Sequence, residues 1–170
     1  YFKIKNDLQK PLKNRVPIVF YQSHQNFETT NIISPILSEG VGGFTESMRN
    51  RVAIPFDGSY KKIEEIIIHE LTHAFTNGIE KSTFLTNNNL PFWFAEGFPE
   101  FEAIEGKSVY NNMFVIDKLY NDVWQNLNKF GGYFAYRLGE SFLVFIAEKY
   151  GRKKVSELFY ALRYQANFSD

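Results

Sequence analysis

The sequence predicts an α+β domain in which short strands come first along the chain and helices follow. Up to residue 56, apolar residues form short runs that are rich in β-branched and aromatic side chains; from residue 60 they recur every three or four positions. The 170 residues are about one domain's worth of chain, and no repeat or linker-like stretch interrupts them. We therefore expect a single domain over 1–170, with a sheet-bearing half at 1–78 and a helical half at 79–170.

Three strands are predicted in the first third of the chain. Val16–Tyr21 is a short apolar run that a polar stretch follows. Gly40–Phe44 and Arg51–Phe56 flank a second polar stretch, as two connected strands would. Because Pro55 cannot donate a ladder hydrogen bond, we expect the third strand at an edge of the sheet, at least at its end.

Four helices are predicted from the three- and four-residue recurrence of apolar side chains. Ser59 can cap the first of them, and Gly78 provides a usual stop signal. The helices are expected over residues 60–77, 91–104, 138–150 and about 153–165.

Composition and charge exclude several classes of protein. A hydrophobic share of 44% and an aromatic share of 18% rule out a disordered chain. The 19 cationic and 19 acidic residues cancel, which leaves no basic excess for nucleic acid. The longest apolar run, Phe142–Ala147, is far shorter than the roughly 20 residues that span a membrane. The absence of cysteine excludes disulfides, thiolate ligands and a cysteine nucleophile.

The sharpest signal is HELTH at residues 69–73, an H-E-x-x-H pattern within the first predicted helix. His69 and His73 lie one turn apart on one face, so both imidazoles can reach one Zn²⁺ at about 2.0–2.1 Å. Glu70 directly follows the first histidine, which is the position of a general base acting on a metal-bound water. A surface helix with two histidines four apart by chance is the alternative. It is disfavoured because the helix is strongly apolar and holds two of the chain's three histidines.

A catalytic zinc needs a third protein ligand, and two residues are available for it. His24 lies in a polar stretch, which favours an exposed or hydrogen-bonded side chain. Glu96 is the better candidate, because an acid within an aromatic helix requires a partner. Glu100 is one turn later, where it can hold the second N–H of a ligand imidazole. The alternative, two solvated acids on an outer face, is disfavoured by the aromatic residues around them.

The two motifs together, HELTH at 69–73 and LPFWFAEGFPEF at 90–101, resemble the peptidase MA-like gluzincins, which are zinc metallopeptidases. The resemblance implies His69, His73 and Glu96 as zinc ligands and Glu70 as the catalytic base. It also implies a zincin-like fold, with a small mixed sheet over an active-site helix and a helical C-terminal half that carries Glu96. The cleft is then expected between these halves.

A third segment, YRLGESFLVFIAEKYG at 136–151, is similar to a helix of the same family that begins with tyrosine. This likeness implies that Tyr136 stabilises the oxyanion of the tetrahedral intermediate, with Tyr133 as a competitor and a plain core aromatic as the alternative. The sequence departs from the family at Pro99, which replaces alanine, and at Phe101, which replaces tyrosine. Because proline within a helix costs about 3 kcal/mol, we expect a kink between the two acids that puts the role of Glu100 in doubt.

Residues 40–56 resemble part of the amino-terminal domain of bacterial envelope proteins in which a peptidase-like domain precedes a TolB-like β-propeller. The likeness implies a C-terminal propeller domain beyond this chain and a periplasmic or exported location.

The expected function is zinc-dependent hydrolysis of a peptide or protein substrate. In this class, a strand beside the zinc helix, here Arg51–Phe56, would pair with the extended peptide. Two alternatives remain: a catalytically idle zincin-like domain for binding or assembly in an envelope protein, and a zinc esterase or amidase for a small molecule.

Overall fold

The computed structural model describes residues 1–29, 41–46, 49–56, 58–80, 90–121 and 126–164. The elements in these ranges are α1 Phe2–Leu8, β1 Ile18–Tyr21, α2 His24–Thr29, β2 Phe44–Glu46, β3 Arg51–Pro55, α3 Tyr60–Glu80, α4 Phe92–Ile104, α5 Val109–Tyr120, α6 Tyr133–Tyr150 and α7 Lys153–Tyr164. The predicted α+β class with a small mixed sheet is confirmed. None of the helices in the described ranges combines the length and the apolar character that a membrane crossing requires.

The strands form one mixed sheet in the order β1-β3-β2. β1 pairs with β3 in parallel, with Ile18 opposite Val52, and β2 pairs with β3 antiparallel, with Phe44 opposite Ala53. The prediction that the third strand lies at an edge is therefore wrong for most of its length, because β3 is central. It is right at Pro55, since the pairing with β2 ends at Ala53.

Three helices lie where the sequence analysis predicted none: α1, α2 and α5. A serine side chain caps the N-terminus of two of them. Ser23 Oγ accepts from the amide of Asn26 at 3.2 Å at the start of α2, and Ser108 Oγ accepts from the amide of Asn111 at 3.2 Å at the start of α5. These helices are short or largely exposed, so their apolar periodicity is weak. Among its described residues, the first third of the chain thus holds two helices besides its three strands.

The predicted helix boundaries hold with two exceptions in the described residues. The Ser59 cap of α3 is confirmed, because its Oγ accepts from the amide of Lys62 at 3.3 Å. The stop at Gly78 is wrong: this glycine does not adopt a positive φ, and α3 runs on to Glu80. Helix α6 begins at Tyr133, five residues before the predicted Leu138. The second predicted strand, Gly40–Phe44, is misplaced, because residues 41–43 form no strand and β2 runs from Phe44 to Glu46. Its first residue, Gly40, and the last residue of the fourth predicted helix, Gln165, lie outside the described residues.

The main core lies where α1, α4, α6 and α7 meet. The rings of Phe94, Phe98 and Phe159 stack there with centroids 5.6–6.2 Å apart. Ile4 and Leu8 of α1 belong to the same buried cluster. The first helix of the chain therefore packs into the core of the helical half.

Two glycines bring α4 and α6 unusually close together. A Cβ atom added to Gly97 would lie 2.7 Å from the Cα of Gly139, and one added to Gly139 would lie 2.1 Å from the carbonyl oxygen of Trp93. No larger residue fits at either position without moving a helix. This close contact fixes the acids of α4 against the polar residues at the start of α6.

Candidate metal centre

Helix α3 presents the two histidines of the HELTH segment to one point in space. Their side chains are 13% (His69) and 21% (His73) exposed. The Nε2 atoms of His69 and His73 are 3.3 Å apart. The four-residue spacing of an α-helix alone places the two rings on one face.

Helix α4 supplies the third donor atom. Oε2 of Glu96 lies 3.3 Å from Nε2 of His73 and 3.7 Å from Nε2 of His69. Bond lengths of about 2.0–2.1 Å and tetrahedral angles would put neighbouring zinc ligands about 3.3 Å apart. The three donor atoms therefore stand at distances that suit one tetrahedral ion, and among the described residues they are the cluster of His and acidic side chains that could hold one.

The Glu96 carboxylate has the state that a metal ligand needs. Burial opposes its charge, but the imidazoles of His69 and His73 hold the pKa of Glu96 well below its ordinary value. Its Oε2 is buried and makes no hydrogen bond of good geometry. A buried, charged oxygen with no donor is costly unless a cation completes it. The donor set thus fits Zn²⁺ in number, type and spacing.

Glu100 lies behind His69 and fixes its orientation. Nδ1 of His69 donates to Oε2 of Glu100 at 3.1 Å, which leaves Nε2 directed at the Glu96 oxygen. Burial disfavours the charged imidazole, but the bonds to Glu100 and Glu96 raise the pKa of His69 to about 9. Burial likewise opposes the Glu100 charge, while His69 and Arg137 keep the pKa of Glu100 below its ordinary value.

Pro99, at which a kink was expected, does not interrupt the helix. Helix α4 runs without interruption from Phe92 to Ile104, with Pro99 buried inside it. Phe94, Phe98 and Phe101 are at most 2% exposed. Burying each of these rings contributes about 1.5–3 kcal/mol, which together exceeds the cost of about 3 kcal/mol for one proline. The intact helix keeps Glu96 and Glu100 one turn apart on the face toward α3.

Glu70 follows His69 in α3, lines the cavity with it, and is held from the sheet. Its side chain is 7% exposed. The hydroxyl of Thr45, on β2, contacts Oε2 of Glu70 at 2.6 Å and the main-chain oxygen of Glu70 at 2.8 Å. Gly43 makes room for this carboxylate, since a Cβ atom there would lie 3.0 Å from Cγ of Glu70. The sequence analysis missed Thr45, because its contact with Glu70 joins residues 25 positions apart.

Tyr136 lies against the candidate ligands. Its ring stacks on the His69 ring with centroids 5.8 Å apart and planes 9° apart. Burial and the nearby Glu96 carboxylate raise the pKa of the Tyr136 phenol above its ordinary value, so the hydroxyl keeps its proton and can donate. Tyr133 is 56% exposed and lies one turn away, under the guanidinium of Arg137. Of the two tyrosines, Tyr136 contacts a candidate ligand directly.

A cavity of about 660 Å³ opens beside these residues. It is bounded by Val41–Gly43, by the α3 face that carries His69 and Glu70, and by the start of α6. The expectation that Arg51–Phe56 pairs with a substrate is contradicted, because both sides of β3 already carry a strand. In the part of the chain that the structure describes, the outer side of β2 is the unpaired strand edge next to Glu70.

Two side chains remain: His24, which was a candidate ligand, and Arg137, which was not predicted. His24 lies away from the centre: its Nδ1 is 2.9 Å from Glu28, and its Nε2 is 3.2 Å from the carbonyl oxygen of Val41. Arg137, which the sequence analysis did not single out, donates from Nη1 to Oε1 of Glu100 at 2.5 Å. A cation directly after Tyr136 in the first turns of α6 was the available signal for it.

Comparisons of the chain with models of known families, with curated proteins and with solved structures find no match.

Proposed function

We propose that this chain is a zinc-dependent peptidase domain with a zincin-like fold of the gluzincin type. The observation that carries the proposal is the triangle of donor atoms from His69, His73 and Glu96, with sides of 3.3, 3.3 and 3.7 Å. The carboxylate of Glu70, which follows His69 in α3 and lines the same cavity, argues for catalysis, because a purely structural zinc site needs a fourth protein ligand and no base.

Zinc held by these three residues would polarise the substrate carbonyl and lower the pKa of a water toward about 7. Glu70 accepts the proton of the attacking water and passes it to the leaving amine nitrogen. The Thr45 hydroxyl occupies one Glu70 oxygen, so the other is the one that handles the proton. The roles of acid and base thus fall on a single carboxylate with a fixed orientation.

Tyr136 is the donor for the negative charge that develops on the substrate oxygen. Its phenol keeps its proton at neutral pH, and its stacking on His69 limits its movement. Preorganised donors of this kind contribute about 10²–10³-fold to rate. Tyr133 is the less favoured candidate because of its greater exposure.

An extended peptide is the substrate that fits the cavity. The outer edge of β2, which no strand of the described ranges pairs with, can add a strand by main-chain hydrogen bonds, which would lead the peptide along Gly43 and past Glu70. This edge replaces Arg51–Phe56 in the role that the sequence suggested. The resemblance to envelope proteins with a TolB-like propeller supports a periplasmic or exported setting and a propeller domain as a partner.

One observation favours the alternative, a catalytically idle domain for assembly. Helix α5 exposes a row of large apolar side chains: Tyr110 is 85% exposed, Met113 62%, Ile116 50% and Tyr120 86%. Contiguous apolar surface of this kind is typical of a protein interface.

The deciding experiment combines metal content with peptide cleavage. The purified chain, Glu96→Ala and Glu70→Gln are compared by elemental analysis and by mass spectrometry of a mixed peptide pool, with and without a chelator. The proposal expects one zinc per chain, less in Glu96→Ala, and chelator-sensitive cleavage. It expects Glu70→Gln to keep zinc and to lose cleavage by about 10²-fold or more. Zinc without cleavage would favour assembly, and failure to bind zinc would overturn the metal site.

A further inference from the structure

We infer that Arg137 is a positioning residue of the metal centre, which aligns the zinc ligand His69 by way of Glu100. The inference rests on the proposed zinc site. Among the described residues, Arg137 forms no hydrogen bond or ion pair with His69, His73 or Glu96, so its effect has to pass through the Glu100 carboxylate.

A continuous series of contacts joins three helices at this point. Arg137 on α6 donates from Nη1 to one oxygen of Glu100 at 2.5 Å. Glu100 on α4 accepts at its other oxygen from Nδ1 of His69 on α3, at 3.1 Å. The two oxygens of one carboxylate are therefore both engaged, and the plane of the carboxylate is fixed by groups on its two sides.

Arg137 is itself held in place. Its Cζ lies 4.9 Å above the centroid of the Tyr133 ring, and its side chain is 24% exposed. The Nε atom is buried and has no hydrogen-bond partner, so the burial of this guanidinium is costly. The ion pair with Glu100, made through the single contact of Nη1 with Oε1, offsets part of that cost and sets a planar guanidinium against the carboxylate.

A positioning role and simple electrostatics predict opposite changes in zinc affinity when the positive charge of Arg137 is removed. Loss of a positive charge near the site lowers the repulsion of a dication and would tighten zinc binding. Loss of a positioning group frees Glu100 and the His69 ring and weakens binding, by about tenfold for groups that support a ligand from behind. The sign of the change therefore separates the two accounts.

The test measures the Kd for Zn²⁺ by chelator competition in wild type, Arg137→Met, Glu100→Gln and the double variant. We expect Arg137→Met to bind zinc about tenfold more weakly. We expect no further weakening from Arg137→Met in the Glu100→Gln background, because the path through Glu100 is already broken. Arg137→Lys keeps the charge without the fork and is expected to recover part of the affinity. Thermal unfolding of the metal-free proteins shows that each variant is folded.

Lys62→Met is the matched control, because Lys62 is another cation that lines the same cavity. We expect it to leave zinc binding unchanged or slightly tighter. If Arg137→Met does not fold, Arg137→Gln replaces it with the same expected weakening. Unchanged or tighter binding in the Arg137 variant, or additive effects in the double variant, would overturn the inference while the zinc site stands. A wild-type chain that binds no zinc would overturn both.

Discussion

The buried carboxyl of Glu140 should make the stability of this protein fall as the pH rises. Glu140 is fully buried on α6. It accepts from the amide of Gly106 at 2.8 Å and from the side-chain amide of Asn111. Burial raises the pKa of Glu140 from 4.5 to about 7 in the folded state, with a further contribution from the Glu100 charge.

The direction in which stability changes with pH follows from how many protons the folded and the unfolded states bind. Between about pH 4.5 and about pH 7, the folded protein keeps the Glu140 proton and the unfolded chain has lost it. The contribution of this group to stability is therefore complete below that window and is lost as the pH rises through it. Each pH unit in the window lowers the free energy of unfolding by up to about 1.4 kcal/mol, which gives about 3 kcal/mol in all.

Glu140→Gln removes the titration and keeps the shape. The glutamine oxygen can still accept from Gly106. Its amide can donate to Oδ1 of Asn111, which is buried and has no partner, once the Asn111 amide turns over. The variant should therefore be as stable as wild type near pH 5 and more stable near pH 8.

The assay is urea unfolding of wild type and variant at about pH 5 and about pH 8. Glu102 also has a pKa raised to about 7, chiefly by burial, but it contributes equally to both proteins and cancels from the difference. Glu157→Gln, at a surface position, is the control and should follow the wild-type curve. Parallel curves for wild type and Glu140→Gln would refute the reasoning.

Three further predictions concern packing, metal binding and the buried charge of α4. Gly139→Ala should lower the free energy of unfolding by about 1–3 kcal/mol, because its Cβ would lie 2.1 Å from a carbonyl oxygen. Gly131→Ala is the control: nothing lies within 4 Å of its Cβ, so urea titrations should show a change of less than about 0.5 kcal/mol. Zinc affinity should rise about tenfold per pH unit between about pH 6 and about pH 8, because a proton must leave His69, whose pKa is raised to about 9. Chelator competition across that range measures the affinity, and a flat profile would contradict the prediction. Arg152→Met should destabilise the protein by about 3 kcal/mol at about pH 8 in urea titrations, because it removes a cation that lies 2.9 Å from the fully buried Glu102. The loss of stability should be smaller near pH 5, where Glu102 takes up a proton.

Local patterns in the sequence determined the helices that matter for the site. The spacing of His69 and His73 on one helix face follows from 3.6 residues per turn, and it holds wherever the helix packs. A helical segment from Pro91 to Ile104 was likewise predicted from the sequence, and the buried phenylalanines of α4 keep the helix continuous at Pro99. Periodicity failed for α1, α2 and α5, which are short or largely exposed and so show little apolar pattern.

Contacts between residues far apart in the chain were decided by the tertiary structure alone. The strand order made β3 central and left the edge of β2 beside Glu70, because which strands pair depends on the whole sheet and not on the apolar run of any one strand. Arg137 reaches Glu100 across 37 positions and Thr45 reaches Glu70 across 25. The contact of Arg137 with Glu100 depends on how closely α6 packs on α4, which here depends on two glycines that face each other between these helices. The sequence by itself determined which side chains could act together, and only the packing of α3, α4, α6 and β2 decided their distances. Hydrogen bonds and metal ligation require distances that are correct to within a few tenths of an ångström, which periodicity cannot specify.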